Sequence, residues 1–292
     1  MRADSCTLIN NYYTKIDRTK IYMDYANKCV KIIDFNNISV QNLKRIIRFS
    51  SKQHLSKIIC NCDIESSEIF IHAGFDLEGK INGYFRGKDA LCMSYFISSD
   101  RKACKDFSKK ELIVKQCLDV RDTFIYSGNK FTYSIRNAVE SDIKEMIALF
   151  STVFTTYPSP VYDEEYLKQT MEGEILYKVA VYNKKIIGVV SANMDKENLN
   201  AEITDCATYS CYRCKGVLAN SIYSLELDLK NMGFITLYSL SRAMNPSINI
   251  VLSKHNYEFT GRLINNCNIC STFEDMNIWV KNINNTLYHR FK

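Results

Sequence analysis

Ala201-Glu202-Ile203-Thr204-Asp205-Cys206-Ala207-Thr208-Tyr209-Ser210-Cys211-Tyr212-Arg213-Cys214-Lys215-Gly216-Val217-Leu218 leads into an amphipathic run that ends at Asn231-Met232-Gly233. This pattern predicts a strand, a turn and a helix. A helix N-terminus offers backbone N–H groups that have no partner within the helix, together with the positive end of its dipole. With Arg213 and Gly216 just ahead of it, the turn suits a phosphate or pyrophosphate.

On the C-terminal side, Phe234 to Leu240 reads as a strand and Pro246 to His255 as a helix with Pro in its first turn. Tyr257 to Asn265 and Phe273 to Val280 close the sheet as two more strands. On the N-terminal side, Ile175 to Tyr182 and Ile186 to Asn193 form an antiparallel hairpin through Asn183-Lys184-Lys185. Ahead of it come a strand, Phe131 to Arg136, and a helix with Ile143, Met146, Ile147 and Phe150 at i, i+3, i+4 and i+7. Tyr157-Pro158-Ser159-Pro160 then forces a loop before a short acidic helix near Asp163 to Met171. Loops of this kind often line acceptor sites, so Phe154 and Tyr157 are candidate walls.

The first part repeats the alternation. Residues 1–20 read as a loosely docked lead, and Ile21 to Tyr25 with Cys29 to Phe35 as a hairpin. A helix follows Ser39, then a strand at Lys57 to Cys60, a helix at Glu65 to Ala73 stopped by Gly74, and strands at Phe75 to Phe85 and Leu91 to Ile97. Asp100 to Lys130 is charged and ends in the turn-like cluster Ser127-Gly128-Asn129-Lys130. We take that cluster as the boundary between an N-terminal α/β unit, 1–130, and a second unit, 131–292. At an offset of 182, Gly74-Phe75-Asp76-Leu77-Glu78-Gly79-Lys80-Ile81 echoes Asn256-Tyr257-Glu258-Phe259-Thr260-Gly261-Arg262-Leu263. The first unit therefore reads as a shortened, degenerate copy of the second. It has no counterpart of Arg213-x-x-Gly216, so it should not bind the same anion.

At 292 residues, 46% hydrophobic and 24% charged, the chain has the balance of a soluble globular protein. No apolar run reaches the ~18 to 20 residues of a membrane span, and Met1 to Lys20 is too polar for a secretory segment. A cytoplasmic protein with no membrane partner is expected, its 12 cysteines reduced. The first 130 residues carry 22 basic against 15 acidic side chains, which accounts for the whole net charge of +6. These charges are spread among apolar residues and do not cluster with stacking aromatics, so a solvated face is expected rather than a nucleic-acid partner. Cys211-x-x-Cys214 and Cys267-x-x-Cys270 have zinc-like spacing, but the first pair sits in the anion-binding turn, and no metal is expected.

The element order with Arg213-Cys214-Lys215-Gly216-Val217-Leu218 resembles the GNAT acetyltransferases, whose signature is Arg/Gln-x-x-Gly-x-Gly/Ala. Leu218 departs from the small last residue. Thr204-Asp205-Cys206-Ala207-Thr208, Gly261-Arg262-Leu263-Ile264-Asn265-Asn266-Cys267 and Phe273-Glu274-Asp275-Met276-Asn277-Ile278-Trp279-Val280-Lys281 are similar to the beta-lysine N-acetyltransferase family. The resemblance implies a mixed α/β GNAT fold and transfer of acetyl from acetyl-CoA to the epsilon amine of beta-lysine, giving a compatible solute. Lysine, a polyamine or a protein amine are alternative acceptors. A non-catalytic module that binds acyl-CoA or nucleic acid is the alternative from another class.

On that reading, Arg213, Cys214, Lys215, Gly216, Val217 and Leu218 cradle the pyrophosphate. Backbone groups of Cys206, Ala207 and Thr208 hold the pantetheine and polarise the thioester. An alkylammonium has a pKa of about 10.4 and must lose a proton before it attacks. Asp205, nearest the turn, and Glu202 are the candidate bases, on opposite faces if the strand is regular. The position that carries a proton-donating Tyr in many GNAT enzymes aligns with Leu252, which leaves Tyr238, His255 or water as the acid. Arg242, Arg262, Asn265, Asn266, Glu274 and Asp275 are candidates for holding the acceptor, with structural ion pairs within the sheet as the rival reading.

Overall fold

The computed structural model describes residues 11–126, 132–157 and 159–284. The first half runs β1 (Tyr12–Ile16), β2 (Thr19–Asp24), β3 (Cys29–Asp34), α1 (Val40–Lys52), β4 (Lys57–Cys62), α2 (Ile64–His72), β5 (Asp76–Phe85) and β6 (Lys88–Phe96). Helices α3 (Ser99–Lys102) and α4 (Phe107–Asp119) follow. The second half opens with β7 (Ser134–Asn137), α5 (Ile143–Val153) and α6 (Glu164–Met171). It continues with β8 (Ile175–Tyr182), β9 (Lys185–Asp195), β10 (Asn200–Thr208), α7 (Val217–Asn231), β11 (Thr236–Arg242), α8 (Pro246–Lys254), β12 (Glu258–Ile269) and β13 (Thr272–Asn282). All thirteen strands belong to one mixed sheet, ordered β1-β2-β3-β4-β6-β5-β12-β13-β11-β10-β9-β8-β7.

Outward from the β5–β12 junction the order matches strand for strand over six strands on each side, and β7 adds a seventh at the edge of the second half. In each half, three antiparallel strands lead by a helix into a strand parallel to the third (β3 with β4, β10 with β11), and a second helix leads to the central hairpin. The irregularities match as well. β5–β6 shifts register at Leu77/Gly79 and Ile81/Phe85, and β12–β13 at Phe259/Gly261 and Leu263/Cys267, each 182 residues later. Asp24 caps the β2–β3 turn by accepting from Asn27 N and Nδ2, as Asp195 caps the β9–β10 turn by accepting from Asn198 N and Nδ2.

The halves meet where Gly79 pairs with Gly261, the residues related by the offset. A Cβ on Gly261 would lie 2.4 Å from Gly79 Cα and 2.5 Å from Glu78 O, so a side chain there is excluded by backbone. Equivalent residues then reach across the junction in both directions. Arg86 donates to Asn198 O and Glu197 O, while Asn268 donates to Asn27 Oδ1 and Ala26 O. Thr236 Oγ1 donates to Asn82 O, and its counterpart Lys57 donates to Ile264 O while pairing at 2.7 Å with buried Glu78.

Helices α1 and α2 cover one face of the first half around Leu43, Ile46, Ile58 and Phe70. Helices α7 and α8 cover the same face of the second half around Ala201, Ile203, Ile222, Leu237 and Trp279. Only the second half carries α5 and α6, which pack on the other face around Val189, Ala207 and Phe150. One expectation needs correction. Residues 12–16, read as part of a loose lead, form β1, because Tyr12 to Ile16 finds β2 as a partner. The Asp100 to Lys130 segment forms α3 and α4, and α4 packs with the second half: Cys117 enters its core and Ser253 Oγ donates to Cys117 O. The boundary expected at Ser127 to Lys130 lies outside the described residues.

Replacing Gly79 with Ala would set a Cβ 2.6 Å from Ile278 Cδ1 and 2.9 Å from Gly261 Cα. Urea or thermal unfolding of Gly79→Ala should show a loss of about 1–3 kcal/mol. Unchanged stability would mean that the halves are not in such close contact.

Candidate active site

Strands β10 and β11 pair at three positions, Asn200 with Thr236, Ala201 with Leu237 and Glu202 with Tyr238. Ser239 Oγ makes one further link to Ile203 O at 2.9 Å, and the strands then separate. An opening between parallel strands at their C-terminal ends is where ligands enter open α/β sheets. Nothing in the residue types singles out Ser239, since a strand serine bonded to a neighbouring carbonyl looks like any other.

Beyond the opening lies the quoted turn. Cys214 (φ 59) and Gly216 (φ 77) are left-handed, and Gly216 caps α7 with no side-chain hydrogen bond. Arg213, Cys214, Lys215 and Gly216 are exposed, and Val217 is buried. Lys215 Nζ lies 5.2 Å from the centre of the Tyr212 ring. Leu218, the departure from a small residue, turns its bulk into the core beneath α7 and leaves the turn open. The matching helix of the first half differs at this point. Ser39 and Asn42 form a reciprocal capping box over the start of α1, Ser39 Oγ accepting from Asn42 N and Asn42 Oδ1 from Ser39 N.

β10 is not regular. Its register with β9 shifts between Thr204 and Ala207, with Asp205 left-handed at φ 46. A bulge leaves its extra residue outside the ladder and re-aims the side chains around it. Asp205 Oδ2 accepts from Ser191 Oγ at 2.6 Å, and Ser191 faces Thr204 across the ladder. Asp205 is thus brought to the face of Glu202 and Thr204, where regular alternation would have placed it opposite Glu202. The bulge is not visible in residue types.

The two carboxylates differ in setting. Asp205 is buried and its pKa is raised by that burial, against hydrogen bonds from Ser191, Tyr157 and Thr204. Half-buried Glu202 is pushed up to about 7, by burial first, with Asp205 adding to the shift and Lys31 and Tyr238 opposing it. Tyr238 is itself raised well above its ordinary value by burial and by Glu202, so it stays protonated at neutral pH. His255, the other acid considered, is buried on the α7 side, 3.4 Å from Glu226 and stacked on Phe124. Leu252 is fully buried in the core.

Of the acceptor candidates, the structure brings Tyr157 and Phe154 to this place. Tyr157 Oη accepts from Asp205 N at 3.2 Å, and its ring stacks on Phe154 at 4.4 Å. Thr156 ties the same loop to the β12–β13 turn, its Oγ1 accepting from Cys270 N. Arg262, Asn265 and Asp275 are turned away. Arg262 binds Asn277 and Glu111, and Asp275 holds Lys110 and Asn265 N. The Asn265 amide donates to Arg101 O and Ala103 O. Strand alternation puts these groups under α3 and α4, so the rival reading of structural pairs describes them. Arg242 and Glu274 bind each other at 2.8 Å, and Asn266 Oδ1 is buried with no hydrogen-bond partner.

The open helix N-terminus, the left-handed turn and the split strands fit an acyl-CoA: N–H groups for its pyrophosphate and a slot for its pantetheine. No group of three or more His, Cys, Asp or Glu among the described residues is placed to hold a metal ion. No helix among them is long and apolar enough to cross a membrane. The fold and this site define a GNAT acetyltransferase, an acetyl-CoA-dependent amine N-acetyltransferase.

The relatives narrow the class. The chain is 35% identical over 249 residues to the beta-lysine N(6)-acetyltransferase of Methanosarcina mazei, covering 78% of this chain and 92% of that protein. It is 31% identical over 267 residues to the beta-lysine N(6)-acetyltransferase of Methanococcus maripaludis, covering 91% and 97%. The chain belongs to the beta-lysine N(6)-acetyltransferase family. No family model matches it. Among solved structures, the ribosomal-protein-S18-alanine N-acetyltransferase of Escherichia coli aligns with a TM-score of 0.47 at 15% identity, over 55% of this chain and 100% of that one.

Asp and Asn both tolerate a left-handed backbone, so at Gly216 they separate charge from conformation. Calorimetric titration should show Gly216→Asp binding acetyl-CoA at least about tenfold more weakly than Gly216→Asn, a difference of ~1.4 kcal/mol. Equal affinities would mean that no anion sits on the α7 N-terminus.

Proposed function

We propose that the protein transfers acetyl from acetyl-CoA to the epsilon amine of beta-lysine by direct attack in a ternary complex, with Glu202 as the general base. The observation that carries the chemistry is Glu202 itself, placed at the last β10–β11 pair with a pKa of about 7. A base poised near the working pH takes a proton from the acceptor ammonium and is substantially ionised beforehand. Asp205, the more obvious choice in the sequence, is buried and bound to Ser191, and it serves better to shape the bulge and raise Glu202.

Acetyl-CoA brings an activated thioester. The chain's contribution is to hold it along the slot, with the Arg213 to Leu218 turn on the pyrophosphate and the Cys206 to Thr208 backbone beside the acetyl group. Tyr238, protonated and next to Glu202, is placed to return a proton to the departing thiolate. Phe154 and Tyr157 wall the acceptor side. The named activity of the two methanogen relatives supports beta-lysine over lysine, a polyamine or a protein amine. The first half fits the reading as a degenerate copy that kept the sheet and closed its own anion site with the Ser39 cap.

Thiol release from acetyl-CoA with a panel of amines tests the reaction, and mass spectrometry of the product locates the acetyl group. Release with beta-lysine and acetylation at its terminal nitrogen is expected; no release with any amine would sink the reading. Because the base acts when deprotonated, kcat/KM should rise with pH through about 7 and level off above it. Glu202→Gln should lose roughly 10²- to 10⁴-fold in rate together with that inflection. If Glu202→Gln keeps the wild-type profile while Asp205→Asn loses it, the roles are reversed.

A further inference from the structure

The symmetry of the ladders gives Glu202 a counterpart. Cys29 pairs with Lys57 at the first β3–β4 position as Asn200 pairs with Thr236 at the first β10–β11 position. Two residues on, Lys31 pairs with Ile59 as Glu202 pairs with Tyr238. The position that holds the base in the second half holds a cation in the first.

These two positions face one another. Laid flat, seven strand spacings would put β3 about 34 Å from β10. The sheet is instead curled, because each turn is bonded to the opposite half: Asn198 and Glu197 to Arg86, and Asn27 and Ala26 to Asn268. Tyr84 of the first half packs on Tyr238 at 5.8 Å, and its carbonyl accepts from Asn200 Nδ2. Lys31 comes within electrostatic reach of Glu202, and Cys267 senses both.

Lys31 keeps one ion pair and one ring contact, its Nζ 5.8 Å from the centre of the Tyr22 ring. Its side chain is 45% exposed and its ion pair with Asp24 is 3.3 Å long, while Asp24 makes shorter bonds to Asn27 N and Nδ2. An amino-acid acceptor carries a carboxylate at the end away from the amine that reacts, and holding it in a half-enclosed site requires a cation. The rival cation, Arg242, is bound to Glu274 at 2.8 Å and lies four residues beyond Tyr238, about 13 Å along the strand.

We propose that Lys31 receives the carboxylate of an amino-acid acceptor whose distal amine is presented to Glu202, so that the first half selects the class of acceptor. This rests on the acetyltransferase reading of the second half. It gives the first half a task beyond packing: the catalytic unit supplies the base and the thioester, and its copy supplies the charge that separates amino acids from simple diamines.

The test measures kcat and KM for beta-lysine and for 1,4-diaminopentane, the same skeleton without the carboxylate. In wild type, beta-lysine should be preferred. Lys31→Met should reduce the ratio of the two kcat/KM values roughly 10- to 100-fold, through KM for beta-lysine, the scale of one charge-assisted bond. Lys31→Arg should keep most of the ratio. Because Lys31 is half exposed, its replacement leaves the core intact. An unchanged ratio in Lys31→Met, or a collapse in Arg242→Met in its place, would overturn the assignment. A wild type that acetylates both amines equally would leave the acetyltransferase reading standing and remove this one. No release with either amine would remove both.

Discussion

Gly79 and Gly261 meet with no side chain on either, and the rest of the sheet is arranged around that contact. Its closeness allows β5 and β12 to join a six-stranded and a seven-stranded array into one sheet, and it places equivalent residues on either side of a pseudo-two-fold axis. The contact is too short to fix the angle between the halves by itself. The crossed bonds of Arg86, Asn268, Thr236 and Lys57 do that, each binding the half to which it does not belong. They close a curled sheet in which strands distant in order look at one another.

Symmetry in the scaffold makes the asymmetries informative. One helix start is capped by Ser39 and Asn42, and its counterpart has Gly216 as its cap residue, which makes no side-chain hydrogen bond. Helices α5 and α6 cover the inner face of one half and have no match in the other. Lys31 stands where the other half has Glu202. At the helix start and at the Lys31 and Glu202 positions the backbone frame is kept, and a change of a few side chains alters what that frame can hold. On our proposal this is a division of labour, with acetyl transfer on one side and recognition of the acceptor on the other.

The carboxylates show how far neighbours override local chemistry. Glu202 and Asp205 are three residues apart on one strand and would alternate faces in a regular ladder. The bulge at Asp205 puts them on one face, and Asp205 then disfavours ionisation of Glu202 beyond what burial already does. Lys31, contributed from 171 positions earlier in the chain, limits the rise at Glu202. A pKa near 7 results from a balance among groups on three strands.

The sequence by itself determined most of the elements and the turn ahead of α7, because hydrophobic periodicity, Gly216 and the run from Ala201 to Leu218 act over short distances along the chain. The repeat was legible for a similar reason: Gly79 and Gly261, whose backbones meet with no room for a Cβ, stand at the same place in two short runs of matching residue types. The lead residues that became β1 were missed because an edge strand with exposed tyrosines carries little apolar signal. Only the tertiary structure decided that Arg262, Asn265 and Asp275 serve α3 and α4, that Asp205 shares a face with Glu202, and that Lys31 comes within reach of Glu202. Side-chain facing depends on bulges and on the curl of the sheet. Those follow from contacts between residues far apart in the chain, which no local pattern encodes.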